Sequence, residues 1–230
     1  MTKASLYQQL KQDIRQGLWP AGSVLNQQKL SEHYQVSRIP VRDALQQLKA
    51  EALVVMAGKA SVMVPPLTAA EAEELYQIRL QLEPMALRRA FPQLSFSLLG
   101  QAEDLLHRIE QDQHLSAADR GALNWQFHLM LYQASHCPHL LRLLHSLHQQ
   151  VERYLGFQEI SMNYAETSHQ EHWQLLELLR AQQLDAAVAL LQQHIQQAGE
   201  LLVAHLRVQT PEPDSGFTTT PESQTSQSQQ

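Results

Sequence analysis

From Thr68 to about Leu206 the apolar residues recur three and four positions apart almost without interruption, and β-branched runs are nearly absent. That pattern restricts the stretch to packed helices, because only a 3.6-residue period keeps such positions on one face. We expect an all-α antiparallel helical bundle over 67–206. Thr68 with Glu71 three residues later forms a capping box, which marks where its first helix begins. Pro84 falls inside that helical pattern and should kink it, since proline lacks the N–H that closes a helical turn.

The flanks read differently. Pro65 and Pro66 break regular structure and mark a boundary, so residues 1–66 form a separate unit. Within it, "LVVMAGKASVMVPP" is rich in valine and interrupted by Gly58, as a small hairpin would be. Beyond Arg207, "VQTPEPDSGFTTTPESQTSQSQQ" is polar and offers only Phe217 to bury. A tail of that composition, residues 207–230, is expected to be disordered.

Charge separates the same units. Residues 1–66 hold eight Lys/Arg against four Asp/Glu, whereas the remainder holds nine against nineteen, within a net charge of -6. A basic head on an acidic body suits a polyanion at the head. With 43% hydrophobic residues the chain can bury a core, and no apolar run approaches the roughly 20 residues that cross a bilayer. The N-terminal "MTKASLYQQLKQDIRQG" is amphipathic and lacks the apolar centre of a secretory signal, and one cysteine, Cys137, forms no internal disulfide. A cytoplasmic protein is expected.

In the head, "LSEHYQVSRIPVRDALQQLKAEAL" reads as two short helices, about Gln27 to Tyr34 and from Arg38 onward, joined by a turn at Gln35-Val36. Ser37 stands where an N-cap belongs, and Pro40 falls in the first turn, where its missing N–H does no harm. Val41, Ala44, Leu45 and Leu48 form the inward stripe. Arg38, Arg42, Gln46 and Lys49 project from another face, as a recognition helix entering a major groove requires. An arginine there can bind guanine bidentately while flanking basic groups hold phosphates. The valine-rich hairpin would be a wing, with Lys59 near its tip. Read without further context, the same elements could also form a small structural domain with solvated arginines.

In the body, Asn124 and His128 lie one helical turn apart among Leu123, Phe127, Leu131 and Tyr132, so a polar pair sits on or beside a buried face and must be satisfied. His172 lies some ten residues before a break around Gln183 to Asp185, and His194 about nine after it. At about 1.5 Å per residue these are roughly 15 and 14 Å, so an antiparallel hairpin brings both imidazoles to one height. If the helix carrying Asn124 and His128 crosses that hairpin, three imidazoles and an amide carbonyl converge. Such a set suits zinc, nickel or a similar divalent ion with open positions, or else a polar core. The chain has twelve histidines. His107, His114, His136, His139, His145, His148, His169 and His205 are given no role, several falling at helix-surface spacing. Cys137 reads as a small buried residue. Arg79 shares a stripe with Leu75, Ile78 and Leu82; it pairs with Glu83 one turn on, grips a carboxylate effector, or does each in a different state.

"GLWPAGSVL" followed by "KLSEHYQVSRIPVRDALQQLKAEAL" resembles the winged-helix signature of the GntR family of bacterial transcription regulators. Residues 68–206 resemble the helical effector domain of its FadR-like branch, the FCD domain, through "LYQIRLQLEPMALRRA", "NWQFHLMLYQASHCP", "EHWQLLELL" and "LDAAVALLQQHI". The resemblance implies Gln28, Ser37, Arg38, Pro40, Arg42 and Lys59 as DNA contacts. It implies Asn124, His128, His172 and His194 as metal ligands, with asparagine where metal-binding members carry aspartate. Other departures are Gln27 for glutamate, Ser31 for alanine, Ala52 for glycine, Ala60 near a wing-tip glycine, and Cys137 for asparagine.

The expectation is therefore a mainly α protein with an N-terminal winged helix-turn-helix and a C-terminal helical bundle. It would be a homodimeric DNA-binding regulator, not an enzyme but a repressor, reading a palindromic operator in response to a small organic acid. Zinc or nickel is the expected ion. Two other readings stand beside it: a body that only dimerises, and a metal-dependent hydrolase, which the lack of an H-E-x-x-H pattern or a carboxylate base in the cluster disfavours.

Overall fold

The structure, a computed structural model, describes residues 3–58, 61–112, 114–161 and 164–209. The head opens with α1 (Lys3–Arg15), then β1 (Val24–Asn26), α2 (Gln27–Tyr34), α3 (Arg38–Ala50), β2 (Val55–Met56) and β3 (Ser61–Met63). The hairpin β2–β3 is present as expected, and β3 also pairs antiparallel with β1, with Leu25 opposite Val62, so the sheet order is β1-β3-β2. A three-residue strand is too short to leave a period in the sequence.

These pieces close on one small core. Leu6, Leu10 and Ile14 of α1 meet Leu30 of α2, the Val41, Ala44, Leu45 and Leu48 stripe of α3, and Leu25 and Val62 of the sheet. Asn26 caps α2 by accepting from the Lys29 amide at 2.8 Å, and Gln35 ends that helix in the left-handed region. Ser37 holds the N-cap position of α3, but its side chain makes no capping hydrogen bond, contrary to expectation. Ala52, where glycine is usual in the resembling family, has φ 57°. A Cβ in that region costs roughly 1–2 kcal/mol, so the departure leaves strain behind α3.

The body is helical among its described residues. It comprises α4 (Ala69–Ala90), a 3-10 turn at Phe91–Gln93, α5 (Phe96–Gln111), α6 (Ala117–Gln133), α7 (Pro138–Ser161), α8 (Ala165–Arg180) and α9 (Leu184–Gln209). Thr68 and Glu71 form both halves of the capping box. Pro84 is buried within α4, and the helix runs through it unbroken. The final helix reaches Gln209, so 207–209, expected in the tail, are helical; the remainder of that tail lies outside the described residues.

Packing sets the site. Helix α4 packs against α9, where the missing side chain of Gly199 admits the Tyr76 ring. A Cβ added at Gly199 would stand 2.7 Å from Tyr76 ring atoms. Helix α6 lies against α4, α5 and α7, and α8 pairs with α9, around a core that includes Phe127, Leu131, Tyr132, Leu176, Leu191 and Ile195. Head and body meet where α1 touches α7.

Candidate functional site

On the head, most of the described residues expected to reach DNA are open to solvent. Gln28, Ser37, Arg38, Arg42, Gln46 and Lys49 are exposed, and Pro40 is half-buried in the first turn of α3. Because α3 buries its apolar stripe, its basic face is left to solvent. Gln28 donates to Glu32 at 3.0 Å, and Arg42 stands 3.5 Å from Asp43. A groove between α3 and the wing is lined by Arg42, Gln46 and Lys49 opposite Met56 and Ser61. Lys59 lies outside the described residues.

In the body, α6, α8 and α9 bring His128, His172 and His194 together, with one ligand atom of each within 4.8 Å of the others. All three are buried, and Asn124, one turn before His128, lines a cavity together with His128 and His194. His128 Nε2 faces His172 Nε2 at 3.0 Å.

The proton positions follow from what stands behind each ring. Tyr132 gives its one hydroxyl proton to Glu83 at 2.7 Å, so its oxygen is left to accept from His128 Nδ1 at 3.2 Å. His194 Nδ1 donates to Glu171 at 2.7 Å, and Tyr164 donates to the same carboxylate at 3.1 Å. Both arrangements put the proton on Nδ1 and turn the Nε2 lone pair toward the cavity, as a carboxylate behind a ligating histidine does. Burial, then the neighbouring imidazoles, holds His128 and His172 well below the ordinary histidine range. His128 Nε2 then accepts from His172 Nε2–H; with that proton moved to Nδ1 of His172, the three imidazoles would offer a donor set that fits a divalent ion of the zinc or nickel kind.

Arg79 completes the wall. It is 6% exposed and donates from Nε to Glu83 at 2.6 Å. Burial pulls its pKa down, but Glu83, Tyr76 and Tyr132 outweigh burial, and the net direction is up. Its Nη1 has no hydrogen-bond partner among the described residues.

Several residues in or behind this site were given no functional role from the sequence. Tyr132 sits four positions after His128, so helix periodicity could have paired them, whereas Glu171 meets His194 of another helix and left no such signal. His148 differs more: given no role above, it is 3% exposed, lines the cavity from α7 and stacks on Trp125 with ring centroids 4.3 Å apart. Its position four after Leu144 and three before Val151, both buried, was the available signal. Cys137, expected buried, is half-buried and donates to the Ser135 carbonyl. Among the described residues no helix is long and apolar enough to cross a membrane.

The head matches the family described as "Bacterial regulatory proteins, gntR family" over residues 2–64, and the body matches the FCD domain over residues 74–197. The HTH-type transcriptional regulator YdhC of Bacillus subtilis is 30% identical over 188 residues, 79% of this chain and 82% of that protein. The HTH-type transcriptional repressor RspR of Escherichia coli is 27% identical over 201 residues, 85% of this chain and 86% of that protein. The solved structure of Escherichia coli McbR/YncC superposes with a TM-score of 0.73 at 24% identity, covering 89% of this chain and 99% of that one.

Proposed function

The chain belongs to the GntR family of bacterial transcription regulators and carries an FCD domain, which makes it a DNA-binding regulator and not an enzyme; from that premise we propose that a small organic acid held in the body cavity controls its operator binding. The observation that carries this reading is the convergence of three buried imidazoles beside a buried arginine with a free Nη1. The arginine would grip a carboxylate bidentately, and an ion with open positions would take another of its oxygens.

In this reading residues 1–66 are the DNA-binding unit, 67–206 the effector-binding and dimerisation unit, and 207–230 a polar tail. Gln28, Ser37, Arg38, Pro40, Arg42 and Lys59 contact the operator. A homodimer reads two half-sites of a palindrome, because one head alone binds weakly. The protein works in the cytoplasm as a repressor released by its effector, a direction that the relative RspR, itself a repressor, favours.

Asn124, His128, His172 and His194 would hold zinc or nickel. Asn124 offers a neutral carbonyl where a carboxylate would bind more tightly, so the ion is held by the imidazoles above all. Elemental analysis of untagged protein purified without chelator is expected to give about one metal per protomer, lost in His172→Ala. Protein that stays empty after incubation with zinc, nickel and manganese overturns the metal and leaves an acid held by Arg79 and hydrogen bonds. Thermal shifts with small carboxylates test the effector, since a ligand of the native state alone must raise the melting temperature. No shift with any acid leaves a body that only dimerises.

A further inference from the structure

The cavity has a second polar pole that neither the ion nor Arg79 uses. Trp125 and His148 are 7% and 3% exposed, their rings are stacked 11° from parallel, and both line the cavity. Neither Trp125 Nε1 nor either ring nitrogen of His148 has a hydrogen-bond partner among the described residues. Buried polar atoms are rarely left so, because the desolvation cost is not recovered. Three such atoms on two stacked residues that both line the cavity point to something that enters it. The space is about 30 Å³, enough for a water or two in the ligand-free protein.

We propose that Trp125 and His148 are specificity-determining residues that require the effector to carry a second oxygen function besides the carboxylate on Arg79. This rests on the reading of the cavity as an effector site. An indole N–H only donates, and a neutral imidazole offers one donor and one acceptor. A hydroxy, oxo or second carboxylate oxygen can accept from the indole and engage the imidazole. The alkyl end of a monocarboxylate would displace the waters and leave these atoms unpaired. A site built to hydrogen-bond its ligand rejects an analogue lacking that group more strongly than an apolar wall rejects an added one. Stacking fixes both rings in one orientation, so the pole is set before the ligand arrives.

Titration calorimetry on the full chain tests this with acids matched at three to five carbons: monocarboxylates, 2-hydroxy acids and dicarboxylates. An ion would itself prefer a chelating acid, so zinc-loaded and chelator-treated protein are both used. The polyfunctional acids are expected to bind at least tenfold tighter than the matched monocarboxylates in both preparations. In Trp125→Phe and His148→Phe, which keep an aromatic ring, that ratio should fall to within about threefold while monocarboxylate affinity stays near wild type. One indole N–H resonance of the three tryptophans should shift with a polyfunctional acid, and Trp125→Phe should remove it. If one variant fails to fold, the other and this resonance carry the test.

A ratio unchanged in both variants overturns the proposal, as does equal weakening of every acid, which is what a packing role produces. A preference that vanishes with the metal assigns it to the ion and overturns the pole. Failure of every acid to bind wild-type protein overturns the effector reading itself, a result distinct from acids that bind without discrimination.

Discussion

Arg79 and Glu83 show how far a single pair is committed to its surroundings. Both are buried, at 6% and 1% exposure, and Glu83 also accepts from Tyr132. Removing the guanidinium leaves a buried carboxylate without its counter-charge, so Arg79→Met should cost about 3–5 kcal/mol in denaturant unfolding. Arg79→Met with Glu83→Gln should cost less, because no unpaired charge remains; an equal or larger loss would mean that packing around Arg79 dominates. His148 supplies a pH test. Burial first, then Arg79, His145 and Arg15, holds it well below its ordinary 6.5, and His128 feels it across the cavity. The unfolded chain therefore binds a proton near pH 6.5 that the folded ring refuses. Its contribution to stability is complete above that pH and is lost as the pH falls below it, at up to about 1.4 kcal/mol per pH unit. Chelator-treated His148→Phe should lose less stability than the parent between pH 6.5 and 5, read from parallel thermal melts.

Among the elements, the α4–α9 pair decides whether the cavity exists. Arg79 and Tyr76 come from one helix and His194 from the other, and Gly199 lets them approach. Gly199→Ala places a methyl group against the Tyr76 ring. Since the helix itself would gain from alanine, a net loss of about 1–3 kcal/mol measures the overpacking. Acid binding should weaken along with stability; unchanged stability would mean that Tyr76 has room to turn. The paired helices also explain what was legible. His172 and His194 could be placed at one height because helical rise is regular and the turn between them is short. Neither Trp125–His148 nor Glu171–His194 could be placed so, because which faces of different helices meet depends on packing.

For the whole molecule, a basic head on an acidic body predicts that DNA binding is strongly electrostatic, and the proposed reading places its sequence-specific component on α3. Arg42→Ala should weaken a cognate duplex by about 1–3 kcal/mol and relax sequence preference, if that arginine reads a base. Lys49→Ala should weaken all duplexes alike and lower the slope of log affinity against log salt by about one. Identical slopes in both variants and the parent would place the DNA on another face. Head and body touch where α1 meets α7, the helix that also carries His148 into the cavity. Effector control requires that the acid bind one placement of the heads better than another, and the same coupling must then make operator DNA change acid affinity by the same factor.

Much of this architecture was determined locally. The apolar period set the helices of the body, Thr68 and Glu71 set where the first of them begins, and the split stripe of α3 separated a buried side from a basic one. These features depend on residues within a turn or two of each other, where spacing and geometry are tied together by the hydrogen-bonded backbone. Strand β1, Ser37 without its capping bond and His148 buried rather than solvated were settled otherwise. So were the carboxylates behind His128 and His194. Their states depend on partners that are near only after helices from distant parts of the chain have packed, and the free energy of burying a polar ring is decided by those partners.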